Sequence, residues 1–498
     1  MKKIKSLMIG LTLVAATTTA TAGGILTNTN QSIDFLRNPA RDAAIGLDGV
    51  YSNPAGVAFL SDGFHLGINW QYAHQTRTIT STNPVFALGR KNEGATTKIF
   101  EGVADAPCIP SVQGAWNKGD WSLQFNLSVP GGGGSCEYAD GLGSFESVVG
   151  NIAHQLSPLG AQGYDMDGYM QGRQYFFGVQ LGSAYKINNK LSVYGGLRLL
   201  YGTATYKARL SNIMVNTANG YIDFGSFLSG ATATVDGGLS QINAGMAQYE
   251  AAGATALPQY AALAEQKAQL EGTRSSLDAL QKYSQGVNLL CNQSGVGIAP
   301  IVSVDYKMND KLNFAVKYEF KTQMRMKNES TVFEASEIPA VNKYRDGEEV
   351  NEDAPALLTV GAQWSPIDPI RINAGWHYYF DKQTDWYNNA QDKLDHNTNE
   401  FLLGAEWDIN SRLTISAGGQ LSRYGLTDEY MNDMSFVVNS YSIGFGANYS
   451  LNDNITLKAA FFQTEYGNYD RKDYPTAGVC DSFTRTNRVL GIGCEINL

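Results

Sequence analysis

Residues 307–320 read KMNDKLNFAVKYEF. The Asn309-Asp310 pair stands between two alternating segments, which is the chemistry of a tight hairpin turn. Beyond it Leu312, Phe314, Val316, Tyr318 and Phe320 fall on one face, and Asn313, Ala315, Lys317, Glu319 and Lys321 on the other. A period of two sustained this long exceeds the usual strand of a soluble sandwich and suits a strand that crosses a membrane.

The unit recurs at residues 186–191 (KINNKL), 408–413 (DINSRL) and 450–455 (SLNDNI), with further short turns at 117–120 and 365–369. Fourteen alternating segments start near Phe64, Pro110, Trp121, Gln174, Leu191, Ile298, Leu312, Ala356, Ile370, Glu400, Leu413, Tyr441, Ile455 and Thr486. Connections after even-numbered segments are a few residues long, and those after odd-numbered ones are long. Short periplasmic turns and long external loops are the asymmetry of a bacterial barrel. The pattern predicts an all-β fold, a 14-stranded antiparallel transmembrane β-barrel whose first strand runs outward. The last strand ends at Leu498, where such barrels usually carry an aromatic residue.

Composition agrees. The chain has 53 Gly, 27 Tyr and 21 Phe, and a net charge of -10 that argues against nucleic-acid binding. Mean hydropathy is -0.23, as expected when lipid-facing residues alternate with polar lumen-facing ones. Lys2, Lys3 and Lys5, the apolar run from Leu7 to Ala16 and the small-residue site Ala20-Thr21-Ala22 predict a signal peptide over residues 1–22. An exported chain with this pattern belongs in the outer membrane of a Gram-negative cell.

Two stretches do not read as strands. Residues 23–63 are rich in Asn, Asp, Gly and Pro and predict an ordered plug ahead of the barrel, residues 64–498. Within an external insertion of about residues 209–297, Leu263, Leu270 and Leu277 recur every seven residues in Ala- and Gln-rich surroundings. That predicts helix, preferably a hairpin on the barrel mouth rather than a partner-binding coiled coil.

Residues 32–59 read SIDFLRNPARDAAIGLDGVYSNPAGVAF. The Asn53-Pro54-Ala55 triplet just before the first strand, with Ala43 to Asp48 and Gly67-Ile68-Asn69 around it, resembles the hatch of FadL-like long-chain fatty-acid and hydrocarbon transporters. Val129-Pro130-Gly131 and Ala299-Pro300 fit that family too. The resemblance implies that the ligand is a long-chain fatty acid or other hydrophobic small molecule, and that the hatch at Asn53, Pro54 and Ala55 gates its passage. It implies lateral release to outer-membrane lipid through a gap beside strand 3, at Pro130 and Gly131. The chain is expected to act as a monomer.

Inside the barrel, a carboxylate head group needs a cationic partner. Arg198, Lys317 and His377 point inward by the alternation and are the candidates, with Tyr194, Tyr379 and Phe462 lining a path for the tail. The same cations could instead satisfy lumen acids such as Glu319. Cys108, before strand 2, and Cys136, after strand 3, are expected side by side at the external rim and predict a disulfide in the oxidising exported compartment. The pairing of Cys291 and Cys480 stays open, and Cys494 faces lipid. No catalytic residue, metal or cofactor is predicted: the five His are scattered and no HExxH, GxSxG or CxxC occurs. The acidic run Asp346, Glu348, Glu349, Glu352 and Asp353 reads as a solvated loop, since its spacing matches no EF-hand. The competing functions are a general porin for polar solutes and a surface adhesin using the long loops.

Overall fold

The recurring Asn turns fold for the reason their sequence suggests. The side chain of the first Asn accepts backbone N–H bonds from residues two and three further on: Asn188 from Lys190 and Leu191, Asn410 from Arg412 and Leu413, Asn452 from Asn454 and Ile455. The structure, a computed structural model, describes residues 32–334 and 339–498. The predicted signal peptide, residues 1–22, and the start of the plug lie outside the described residues.

The wall is a closed antiparallel barrel of fourteen strands. They are β1 Gly63–Thr82, β2 Thr97–Lys118, β3 Trp121–Tyr138, β4 Gly163–Asn188, β5 Leu191–Thr217, β6 Val287–Asn309, β7 Leu312–Glu319 continued at Arg325–Glu334, β8 Leu357–Ile367, β9 Ile370–Tyr379, β10 Thr398–Asp408, β11 Leu413–Arg423, β12 Ser440–Ser450, β13 Ile455–Tyr466 and β14 Cys480–Asn497. β14 pairs with β1 from His65↔Asn497 to Thr82↔Cys480 and closes the ring. The terminal Leu498 joins that seam, its N–H bonding Phe64 O and its carbonyl accepting from Phe64 N.

The outer face carries a lipid band. Leu123, Val179, Leu197, Val302, Leu403 and Ile443 are exposed there, with Trp116, Trp121, Tyr185, Trp364, Trp407 and Tyr449 below them toward the periplasmic turns. Exposed apolar side chains above an aromatic girdle are what a bilayer selects. No described helix is long and apolar enough to cross a membrane.

Strands that leave a periplasmic turn begin where the alternation places them. Of those that descend from external loops, β8, β10 and β12 begin within two residues of the expected position, and the other four do not. β2, β4, β6 and β14 begin at Thr97, Gly163, Val287 and Cys480, about a turn's length or more above the expected Pro110, Gln174, Ile298 and Thr486. Above the bilayer both faces of a strand meet water or packed loops, so the period-two signal fades while the ladder continues. β1, β2 and β4 to β6 reach 20 to 27 residues, whereas β9 has 10. The barrel therefore rises higher on one side.

The insertion between β5 and β6 is a pair of antiparallel helices, α4 Phe224–Ala251 and α5 Pro258–Gln281. Leu263 and Leu270 lie against Gly245 and Gly238, so the heptad leucines form the seam of the pair itself. Its base packs on α3, Gly143–Gln155: Phe224, Phe227, Leu228, Leu277 and Leu280 bury against Val149 and Ala153.

Loops from four sides meet over the lumen. Leu142, Tyr344, Trp386 and Phe436 converge on Ile79, Phe100 and Phe483 of the wall in one apolar cluster. Asp346, Glu348 and Glu349 of the acidic run are exposed, as a solvated loop requires, but the end of the run corrects that expectation. Glu352 and Asp353 are buried, Glu352 paired with Lys343 and Asp353 with Lys321.

Asp433 ties the lid to α3, accepting the Ser144 N–H at 2.8 Å. Burial first, and then the Asp481 charge, push its carboxyl from 3.8 up to about 6. The docked loop thus holds this proton more tightly than a free one. Its contribution is full at low pH and is lost as pH rises through about 6. Proteolysis of the loop at residues 425–439 is expected to be slower at about pH 5 than at about pH 7.5. Asp433→Asn should remove that difference, because the amide oxygen still accepts the bond but does not titrate. Equal pH dependence in both proteins would refute the assignment.

Candidate functional site

The lumen is filled by the chain's own N-terminal segment, which travels round the inside of the wall in roughly reverse strand order. Asp34, on the short helix Ile33–Arg37, pairs with Lys458 of β13 and accepts from Asn448 of β12. Arg37 bonds Ser416 of β11. Arg37 and Arg41 both reach Glu406 of β10, at 2.8 and 2.7 Å. Asp42 meets His377 of β9, and Ala43 O accepts from Asn313 of β7. Val57 O accepts from Asn117 of β2, next to the start of the barrel. Glycines in the wall permit this close approach. A Cβ on Gly444 would lie 2.0 Å from Leu36 O.

The Asn-Pro-Ala triplet is the best-anchored part. Asn53 donates to Asp305 of β6 at 2.6 Å and accepts the Gly56 N–H. Pro54 O accepts from Gln124 of β3, and Ala55 O from Ser192 of β5 at 2.6 Å. All three wall residues lie near periplasmic turns, so the knot closes the periplasmic end of the lumen.

The three candidate head-group cations are all committed to this arrangement. Arg198 pairs with Glu319 and bonds Gln180, while its guanidinium stacks 4.7 Å from the Tyr51 ring of the plug. Lys317 donates to Tyr51 O at 2.8 Å and lies 5.0 Å from the same ring. Tyr51 is thus gripped by two wall cations, a contact that strengthens when water is excluded. His377 bridges Asp42 of the plug and Glu400 of β10. Alternation correctly turns these side chains inward. The alternative that these cations satisfy lumen acids such as Glu319 holds for Arg198, whereas alternation does not reveal the plug partners, Asp42 for His377 and Tyr51 for Lys317.

The aromatic candidates divide. Tyr194 packs with Ala55, Ala58 and Ile301 around the knot and accepts from Gln180, and Tyr379 donates to Glu400. Neither lines an open path. Phe462 does sit in an apolar cluster, 5.7 Å from Phe35 and together with Leu36, Ala73, Ala106, Val489 and, at its edge, Ile109. Ile109 leads to a break in the wall.

β2 and β3 pair from Lys118↔Trp121 to Val112↔Leu127 and again from Asp105↔Ser135. Between those points residues 106–111 and 128–134 are unpaired with each other. Pro107, Pro110 and Pro130 supply no ladder donor there. Gly132 has φ of 103°, and a Cβ there would lie 2.2 Å from Gln174 O, so the kink of β3 requires glycine. Pro130 and Gly131 thus lie where the β2–β3 ladder lapses, although Gly131 still pairs with Phe176 of β4, and Ala106 and Ile109 of the facing β2 segment belong to the apolar cluster of Phe35 and Phe462.

The expected disulfide is corrected. All five cysteines are free. Because β2 begins at Thr97, Cys108 lies within the unpaired stretch and is exposed, whereas Cys136 is buried and stands level with Ala104. Cys291 is buried on β6 and Cys480 opens β14, both also unpaired.

No protein-family model and no curated protein matches this sequence. Solved structures do match over nearly the whole chain. A FadL homologue of Pseudomonas aeruginosa is similar with a TM-score of 0.61 at 11% identity, covering 95% of this chain and 99% of its own. The toluene transporter TodX of P. putida gives 0.52 at 14% identity, covering 91% and 94%. The toluene transporter TbuX of Ralstonia pickettii gives 0.52 at 12%, covering 94% and 98%. The chain has the FadL-type fold. Within it, this chain's N-terminal plug holds Asn53, Pro54 and Ala55 against three different strands.

Proposed function

We propose that this chain is an outer-membrane channel of the FadL-like family that takes up long hydrophobic molecules, long-chain fatty acids first among them, and releases them sideways into lipid. The observation that carries the reading is the coincidence of an apolar lumen cluster, Phe35, Phe462 and Ile109, with the break between β2 and β3. A polar solute gains nothing from such a route. An acyl chain does, because each buried methylene is worth about 0.8 kcal/mol. The ring-shaped hatch below and the apolar lid above oppose a general water-filled pore. The likeness to a FadL homologue and to two toluene transporters supports a hydrophobic cargo. On this reading the hatch gates the path and the protein works as a monomer without a cofactor.

The direct test is uptake of a labelled long-chain fatty acid by cells producing the protein, against sugar permeation in liposomes. Sugar flux without fatty-acid uptake would establish a porin instead. Asn53→Ala should accompany that assay. It removes the bond to Asp305 and the bracket on Gly56, leaving a buried carboxylate short of a donor at a cost of about 1–3 kcal/mol. Fatty-acid uptake is expected to change while the heat-modifiable gel mobility of the barrel does not. Parental uptake kinetics in the variant would count against hatch gating.

A further inference from the structure

With Arg198, Lys317 and His377 held by the hatch, the lumen cations without a carboxylate lie elsewhere. Arg77 of β1 and Arg485 of β14 are direct cross-strand partners, and both face inward in line with Ile79 and Phe483. Like charges placed opposite one another destabilise a sheet unless something neutralises them. Among the described residues neither arginine forms an ion pair. Arg485 bonds only Phe436 O and Gln75 Oε1, both at 3.3 Å, and stacks 5.0 Å from the Tyr466 ring. The Nε of each arginine is buried without a partner. Nearby acids are engaged elsewhere or point outward: Asp105 of β2 takes His74 and Tyr72, Glu465 of β13 takes Gln463, Asp481 of β14 itself takes Tyr474, and Glu101 of β2 is exposed.

Their height in the barrel is informative. One step above them, Ile79 and Phe483 belong to the apolar lid cluster. Four residues below, Ala73 and Val489 belong to the apolar cluster of Phe35 and Phe462. The two guanidinium groups, with Gln75 and Asn487 just below them on the same face, thus form a short polar segment between two apolar clusters. Arg77 is level with Gly102 of β2, and Ile109 at the wall break is level with Gln71. Six residues of strand span roughly 20 Å, the reach of a long acyl chain.

We propose that Arg77 and Arg485 together hold the carboxylate of an amphipathic ligand beneath the lid, with its tail lying along Ala73 and Val489 toward the break between β2 and β3. The pair offers forked donors that match a carboxylate, and the bound anion relieves their mutual repulsion. This rests on the hydrophobic-uptake reading and assigns it a head-group site.

The test compares oleate with oleyl alcohol, binding to the full barrel in lipid nanodiscs. In the double variant R77Q/R485Q, oleate affinity should fall roughly tenfold or more, the scale of one lost charge-assisted contact, while the alcohol stays near its parental affinity. R77K/R485K should recover part of the oleate affinity. Inorganic phosphate should not displace oleate from the parent. Equal weakening of both ligands, unaltered oleate binding, or displacement by phosphate would each overturn the assignment. If the parent itself binds neither ligand, the uptake reading fails and this site with it. If the parent binds both ligands and the variants behave like it, only the site is wrong. Heat-modifiable gel mobility confirms that the variants are folded.

Discussion

Glu406→Ala is expected to unseat the hatch while leaving the barrel intact. Glu406 is buried in β10 and is the common partner of Arg37 and Arg41 from the hatch and Arg371 from β9. Its removal leaves three clustered guanidinium groups with only Asp34, Asp48 and Asp408 among them. Breaking a buried ion cluster on one side costs about 3–5 kcal/mol. The loss falls on the hatch, because no ladder hydrogen bond of the wall depends on this side chain. The hatch segment should become sensitive to added protease, and conductance across a planar bilayer should rise. Heat-modifiable mobility should persist. Glu406→Gln, which keeps one acceptor and the volume, should give a smaller effect in the same direction. A hatch as protected in Glu406→Ala as in the parent would show that the remaining anchors at Asn53, Pro54 and Ala55 suffice.

The second large effect concerns the break in the wall. Cys108 is exposed within the stretch of β2 that has lost its β3 partner. Alkylation there with a bulky maleimide should obstruct a ligand leaving between the strands. Uptake should fall roughly tenfold, the consequence of an added barrier of about 1.4 kcal/mol, and a small methylating reagent should do much less. Cys108→Ser should take up ligand normally and be insensitive to the reagent. Cys494, on an intact part of the wall at the β1–β14 seam, provides the control, since its modification should leave uptake unaffected. Inhibition that survives in Cys108→Ser, or none in the fully labelled parent, would argue that ligand exits by another route.

The membrane part of this fold is legible residue by residue. Leu312 to Phe320 alternates because one face must meet hydrocarbon and the other a packed interior, and Asn309 turns the chain because its side chain can accept the Lys311 N–H. The external half is not legible in this way. At Thr97 or Val287 no bilayer imposes a difference between the faces, so the alternation stops before the strand does. The disulfide expectation failed for the same reason, since it depended on where β2 begins.

The interior follows a different logic. Sequence placed Arg198, Lys317 and His377 on the inward face, yet the charges that neutralise or cradle them come from across the lumen or from the hatch. Arg77 and Arg485 went unnoticed because β1 and β14 are the two ends of the chain and become neighbours only when the barrel closes. By itself, then, the sequence determined the strand count, the turns, the lipid-facing side and the presence of a plug, all set by local backbone chemistry and by the solvent on each face. The tertiary structure alone decided which lumen charges are satisfied, where the wall is broken and which two arginines face each other without an acid, because these depend on contacts between residues hundreds of positions apart.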